Sequence, residues 1–194
     1  MAETLVDIMA EGIGPEGKHL FLTGSLTAVN QNIWMERMET YRRQKYPRMK
    51  NLAETPKASE EDQALATQVT IDVLKSYAEL DGIYAMTSVA LPGAAEALRK
   101  EKAHDRVFLT GLSTPNSMRQ YVKQGVVKKF VLWNPVDLGY LTVYAAKGVA
   151  EGSITEETSS FAAGRLGRIR ITDREVLLGD PMVFYAGNID AFDF

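Results

Sequence analysis

The residues best placed to do chemistry gather at four junctions, each ending an apolar, strand-like run and opening a helix. They read Thr23-Gly24-Ser25-Leu26-Thr27-Ala28-Val29-Asn30-Gln31, Met86-Thr87-Ser88-Val89-Ala90-Leu91-Pro92-Gly93, Thr110-Gly111-Leu112-Ser113-Thr114-Pro115-Asn116 and Leu132-Trp133-Asn134-Pro135. In an open parallel α/β sheet such junctions lie at the carboxyl edge, where ligand crevices form. Their side chains are hydroxyls, amides and one indole, without histidine, cysteine or paired carboxylates. That chemistry can hydrogen-bond a neutral polar molecule but supplies no acid–base or nucleophilic machinery. The expectation is binding, not catalysis.

The rest of the chain excludes several other classes. There is no cysteine, hence no disulfide framework, cysteine metal site or thiol nucleophile. His19 and His104 fall at a strand start and a helix-to-strand loop, at the opposite edge, and are expected on the surface without catalytic roles. Asp62, Asp72, Asp81 and Asp105 are scattered, so neither a carboxylate pair nor a metal site is expected. A net charge of −3 gives no general attraction for nucleic acid or an acidic membrane. Arg42-Arg43-Gln44-Lys45 reads as a solvated helix end, where cations complement the macrodipole. No apolar run approaches the ~20 residues of a membrane span, and the first residues lack the basic and apolar regions of a secretion signal. A nucleotide-dependent α/β enzyme could use Thr23-Gly24-Ser25 as a phosphate loop, but neither G-x-G-x-x-G nor G-x-x-x-x-G-K-[ST] occurs.

Elements that would position the junctions alternate in type. Helices are expected over about 2–12 and 30–45, the second burying Trp34, Met38 and Tyr41. A third begins at Ser59 as N-cap, with Glu60, Glu61 and Asp62 in its first turn favouring the dipole, and presents Leu65, Val69, Val73 and Leu74; others begin at Pro92, Pro115 and Pro135. The last is expected to bury Val136, Tyr140, Val143 and Tyr144. Five strands, at 20–23, 51–55, 83–86, 107–110 and 129–133, alternate with these helices. Right-handed crossovers then imply a three-layer α/β fold with a parallel five-stranded sheet in the order 2-1-3-4-5. Residues 153–167 read as an exposed loop, followed by short strands at 169–171, 176–178 and 182–185.

The junctions, in this order and with the ending Asn188-Ile189-Asp190-Ala191-Phe192-Asp193-Phe194, resemble the type I periplasmic sugar-binding proteins of ABC importers. Within them the chain resembles the branch of rhamnose-binding and autoinducer-2-binding proteins. The resemblance implies that residues 1–133 form the second of two lobes. Residues 134–194 would be the crossover helix and terminal strands that normally belong to the hinge and first lobe. It also implies a periplasmic protein without a cofactor, a monosaccharide ligand and a transporter permease as partner.

Carried over residue by residue, the resemblance implies that Asn30 and Gln31 contact the ligand, with Met86, Thr87 and Ser88 as a second contact loop. Trp133 and Asn134 would stand at the last crossover. On residue type alone, Asn30 and Asn134 read equally as N-caps, Trp133 as a core residue, and Met86-Thr87-Ser88 as ordinary loop chemistry. In the autoinducer-2 branch the places of Asn30 and Asn134 are aspartates, so the amides here favour a neutral, rhamnose-like sugar. An autoinducer-2-type signal binder and a regulator's effector domain stay as alternatives. The apolar face expected on the helix from Pro135, with the terminal strands, points to a homodimer.

Overall fold

A strand covered on both faces carries apolar residues at successive positions rather than alternating ones. β1 (Lys18–Thr23) is of this kind: from His19 onward every residue is buried. β4 (Gly82–Ala85) is buried throughout, and β5 (Phe108–Gly111) and β6 (Lys129–Leu132) are buried after their first residue. The computed structural model, which describes residues 1–194, joins them as a parallel sheet in which β1 pairs with β4 and β4 with β5. β6 joins beside β5 through the parallel bridge Leu112–Val131.

The expected second strand is broken in two. β2 (Lys50–Asn51) and β3 (Lys57–Ala58) both pair parallel with β1, at its start and its end. Between them Asn51 folds back on itself, its side-chain oxygen accepting from Ala53 N–H at 3.1 Å, and Pro56 has no N–H to offer a ladder. The order expected from sequence holds, with a segmented edge.

α1 (Ala2–Ile13) and α2 (Val29–Lys45) pack together over the face carrying His19, Phe21, Gly82 and Tyr84. α3 (Gln63–Ser76), α4 (Ala90–Lys100) and α5 (Pro115–Lys123) pack in series. Several expected faces are rotated. α2 buries Gln31, Met35, Met38 and Arg42, leaving Trp34 and Tyr41 half-buried on the flank. α3 buries Ala66, Thr70, Val73 and Leu74, while Leu65 is 39% exposed. Its cap is Asp62, whose carboxylate accepts from Leu65 N–H at 2.7 Å; Ser59 is buried instead and binds the Thr23 carbonyl. α4 starts two residues before Pro92, because Thr87 Oγ1 accepts from Ala90 N–H at 3.0 Å and organises the turn earlier.

His19 is not on the surface. Its side chain is fully buried between Phe21 and Tyr84, and Nε2 lies 3.2 Å from Glu39 Oε1. Arg42 is buried too: it donates to the Met49 carbonyl and pairs with Glu39 at 3.1 Å, so the basic run is only partly solvated. His104 is half-buried, on the loop before β5. Three polar groups thus share one pocket of the α2–β1 layer. Paired in this way a buried charge is tolerated, whereas alone it is not.

The chain divides into two compact units, 1–132 with 183–194, and 133–182. In the first, β10 (Met182–Tyr185) pairs with β6 rather than standing among the tail strands. Phe184 is fully buried, stacked on Phe130 at 5.0 Å and edge-on to Phe192 at 4.9 Å. The terminus is held on α5, where Asn116 N–H donates to the Phe194 carbonyl and Lys123 pairs with Asp190 at 2.8 Å.

The second unit is α6 (Pro135–Ala150) with an antiparallel sheet of β7 (Ser160–Ala162), β8 (Arg168–Thr172) and β9 (Glu175–Leu177). β7 lies in the stretch expected to be an exposed loop. Ala163 beside it is fully buried with Leu141 and Ile169, and this small core requires the chain to pass beneath α6. α6 buries Leu141 and Gly148; Val136 and Val143 are 64% and 67% exposed, contrary to the face expected from sequence.

The partly buried Glu39 generates a pH prediction. Burial alone would raise its pKa, but hydrogen bonds from His19 and Arg42 and the Arg42 charge outweigh that, holding it down from 4.5 to about 2. A depressed carboxyl stabilises the fold above its unfolded value and loses that contribution as pH falls through the folded one. Stability should therefore decline between pH 4.5 and about 2. Glu39→Gln should flatten that segment and lower stability at neutral pH, because His19 and Arg42 stay buried without their anion. Denaturant unfolding across acid pH checks this; an unchanged slope in the variant would contradict it.

Candidate functional site

All the strands of the main sheet point one way, so the loops after β1, β3, β4 and β5 share its carboxyl edge. The loop after β1 is tied to the helix it feeds. Gln31, third residue of α2 and 6% exposed, turns its amide oxygen back to accept from the Thr23 hydroxyl and from Gly24 N–H at 2.8 Å. A glutamine at this helical position commonly reaches back to the N-terminus in a capping box. Here it reaches further and closes the whole turn. Its amide nitrogen donates to Glu61 Oε1 at 3.0 Å, joining the loop before α3 to the loop after β1.

Gly24 makes that junction possible. A Cβ there would overlap the Glu61 carboxylate and meet Thr87 Cγ2 at 3.0 Å. At the next loop Gly111 does similar work, since a Cβ would run into the Ala85 carbonyl, which accepts from Leu112 N–H at 3.0 Å. Ser113, fully buried, donates to the Ser88 carbonyl at 3.0 Å and fixes the loop after β4 to the loop after β5. Successive loops are thus stitched side by side.

The residues singled out in the sequence divide by what they have left to offer. Asn30 is exposed, and its amide makes no bond within the chain. It is not a cap, because the N-cap of α2 is Ala28, without a side-chain bond. Gln31 is spent largely on the loop itself. Met86 is buried at 1% exposure, Thr87 serves the turn into α4, and Ser88 is exposed. Asn30 and Gln31, in the first turn of α2, and Met86-Thr87-Ser88, on the loop after β4, lie in the first unit. Trp133 and Asn134 belong to the second. Trp133 is half-buried, and Asn134 caps α6, its side-chain oxygen accepting from Val136 and Asp137 N–H at 2.9 and 3.2 Å. Sequence reasoning missed Glu61, taken for a helix first-turn anion. Nothing in Ser59-Glu60-Glu61-Asp62 marks which acid caps α3 and which reaches Gln31.

A model described as a periplasmic binding protein domain matches residues 1–154. The chain belongs to this family. Solved relatives agree with the membership. A sugar ABC transporter protein of Actinomyces odontolyticus is 36% identical over 100% of this chain and 62% of its own, with a TM-score of 0.87. An ABC transporter solute-binding protein of Clostridium phytofermentas with bound L-rhamnose is 28% identical over 98% of this chain and 63% of its own, at 0.88. LsrB of Clostridium saccharobutylicum, in complex with AI-2, is 25% identical over 100% and 68%, at 0.87. The chain therefore spans between 62% and 68% of the length of these relatives. They are transport and ligand-binding proteins, not enzymes. No helix of the chain is long and apolar enough to cross a membrane.

The two asparagines differ in what they hold within the chain, and stability measurements separate them. Asn134→Ala removes a cap accepting two N–H groups and should cost about 1 kcal/mol. Asn30→Ala removes a solvated amide and should change stability by less than about 0.5 kcal/mol. Chemical denaturation of both variants checks the difference; equal losses would show that Asn30 has a structural role.

Proposed function

We propose that this chain is the second lobe of a periplasmic sugar-binding component of an ABC importer, and that its ligand is a neutral monosaccharide of the rhamnose type. The observation that carries the reading is the exposed, unspent amide of Asn30 in the first turn of α2, at a carboxyl edge where Gln31 ties the neighbouring turn together. An amide offers donor and acceptor together, which suits a sugar hydroxyl. The relative with bound L-rhamnose supports the sugar class. The relative in complex with AI-2 keeps a signal molecule as the second reading, and the amides at Asn30 and Asn134 weigh against it. On this reading Ser88 offers a further contact, Gln31, Met86 and Thr87 shape the edge, Trp133 and Asn134 stand at the crossover, and the partner is a transporter permease. Residues 133–182 then belong to the hinge and to the lobe beyond it, whereas 183–194, assigned there from the sequence, pack with residues 1–132. Val136 and Val143, one above the other on α6 and both exposed, support pairing with a second copy.

One wall of hydrogen bonds leaves a sugar half-solvated, so affinity should be weaker than micromolar. Titration of labelled protein with L-rhamnose, followed by NMR, should shift the signals of Asn30 and Ser88, and light scattering on the same samples should show a dimer at high concentration. Micromolar or tighter binding by a monomer would contradict the single-wall reading. A response to ATP with none to sugars would overturn the function, and a strict monomer across a hundredfold dilution would remove the dimer.

A further inference from the structure

The bond between Gln31 and Glu61 has a consequence for what the edge can recognise. A side-chain amide has two acceptor positions on oxygen and two N–H donors. Both acceptor positions of Gln31 are taken, by the Thr23 hydroxyl and Gly24 N–H, and one donor is taken by Glu61. A carboxylate only accepts, and a hydrogen bond to one is roughly twice as strong as a neutral one. Reversing the amide would set its oxygen against the carboxylate and its NH2 against the Gly24 N–H. Both ends would repel.

Glu61 reaches this position at a cost. Glu60 and Glu61 are consecutive non-glycine residues in the left-handed region, with φ of 49° and 54°. Such backbone is strained by about 1 kcal/mol or more per residue and persists only where its surroundings over-determine it. They do so here. Before the pair, Ser59 is buried and held to the Thr23 carbonyl through both its N–H and its hydroxyl, at 2.9 and 3.2 Å. After it, Asp62 caps α3 and its own N–H returns to the Ser59 carbonyl at 2.9 Å. The missing Cβ of Gly24 leaves the space that the carboxylate fills. Anchor, cap and glycine together aim one exposed acid at one buried amide.

We propose that Glu61 is a positioning residue: it fixes the polarity of the Gln31 amide, so that Gln31 faces any ligand as a donor only. Beside it, Asn30 offers both donor and acceptor, and the pair thereby favours a ligand with an acceptor oxygen next to a hydroxyl, as in a vicinal diol. Only this last step rests on the sugar-binding reading.

The test uses the full chain labelled with [15N]glutamine, with the Gln31 side-chain signals assigned by their loss in Gln31→Leu. In the native protein the two Gln31 amide protons should be inequivalent and slow to exchange. Glu61→Ala should speed that exchange about tenfold or more, and Glu61→Gln, which keeps an acceptor oxygen, should restore it to within about threefold. The melting temperature of Glu61→Gln should match the native one. Titration with L-rhamnose should show affinity reduced about tenfold in Glu61→Ala and preserved in Glu61→Gln. Native exchange in Glu61→Ala, or failure of Glu61→Gln to restore it, would overturn the proposal. If L-rhamnose and other monosaccharides leave the native spectrum unchanged, the sugar reading fails, while the exchange rates still decide the role of Glu61.

Discussion

The main sheet is buried on both faces, and most of what the structure does follows from that constraint. Backbone polar groups inside it must be paired along the ladder, which leaves little tolerance for irregularity within the strands. Irregular backbone, and the polar side chains that come with it, is displaced to the strand ends. Because the strands are parallel, all their carboxyl ends fall on one edge. A row of hydroxyls and amides that is scattered in sequence thereby becomes contiguous in space. The same constraint explains the segmented edge strand: only at the margin of the sheet can Asn51 and Pro56 interrupt the pairing.

The carboxyl edge is organised in two tiers. Beneath, Thr23, Gly24, Gln31, Ser59, Thr87 and Ser113 bond to one another or to neighbouring backbone. Above, Asn30 and Ser88 are exposed. The lower tier holds the loops rigid, so the upper tier loses little conformational freedom when it meets a ligand. Adjacent residues thus fall into different tiers. Asn30 and Gln31 are neighbours of nearly the same chemistry, yet successive helical positions point about 100° apart. Asn30 looks outward, while Gln31 turns its oxygen back into the turn and keeps one N–H beyond the bond to Glu61.

Polar groups also enter the core away from this edge. His19, Glu39 and Arg42 form a compensated cluster against Phe21 and Tyr84, and each is acceptable there only because the others are present. Burial in isolation would push the Glu39 carboxyl toward its neutral form; its two partners reverse the direction. On the opposite flank the chain terminus supplies aromatic rings to the core, Phe184 packing on Phe130, and α5 holds the final residues by backbone and ionic contacts.

The sequence by itself determined the alternation of strands and helices, the strand order, the helix starts at Pro115 and Pro135, the cap at Asn134 and the uncharged character of the four junctions. These rest on local rules: apolar runs, proline at a first helical position, and an amide cap within three residues of its partners. Tertiary structure decided what needs partners distant in the chain. A histidine at a strand start reads as a surface residue until a glutamate twenty positions later folds over it. An acid among Ser59-Glu60-Glu61-Asp62 reads as a dipole partner until Gly24 leaves room for its carboxylate beside Gln31. The outer faces of α6 read as core because periodicity records which residues share a stripe, whereas the neighbour that covers a stripe is a property of the folded chain.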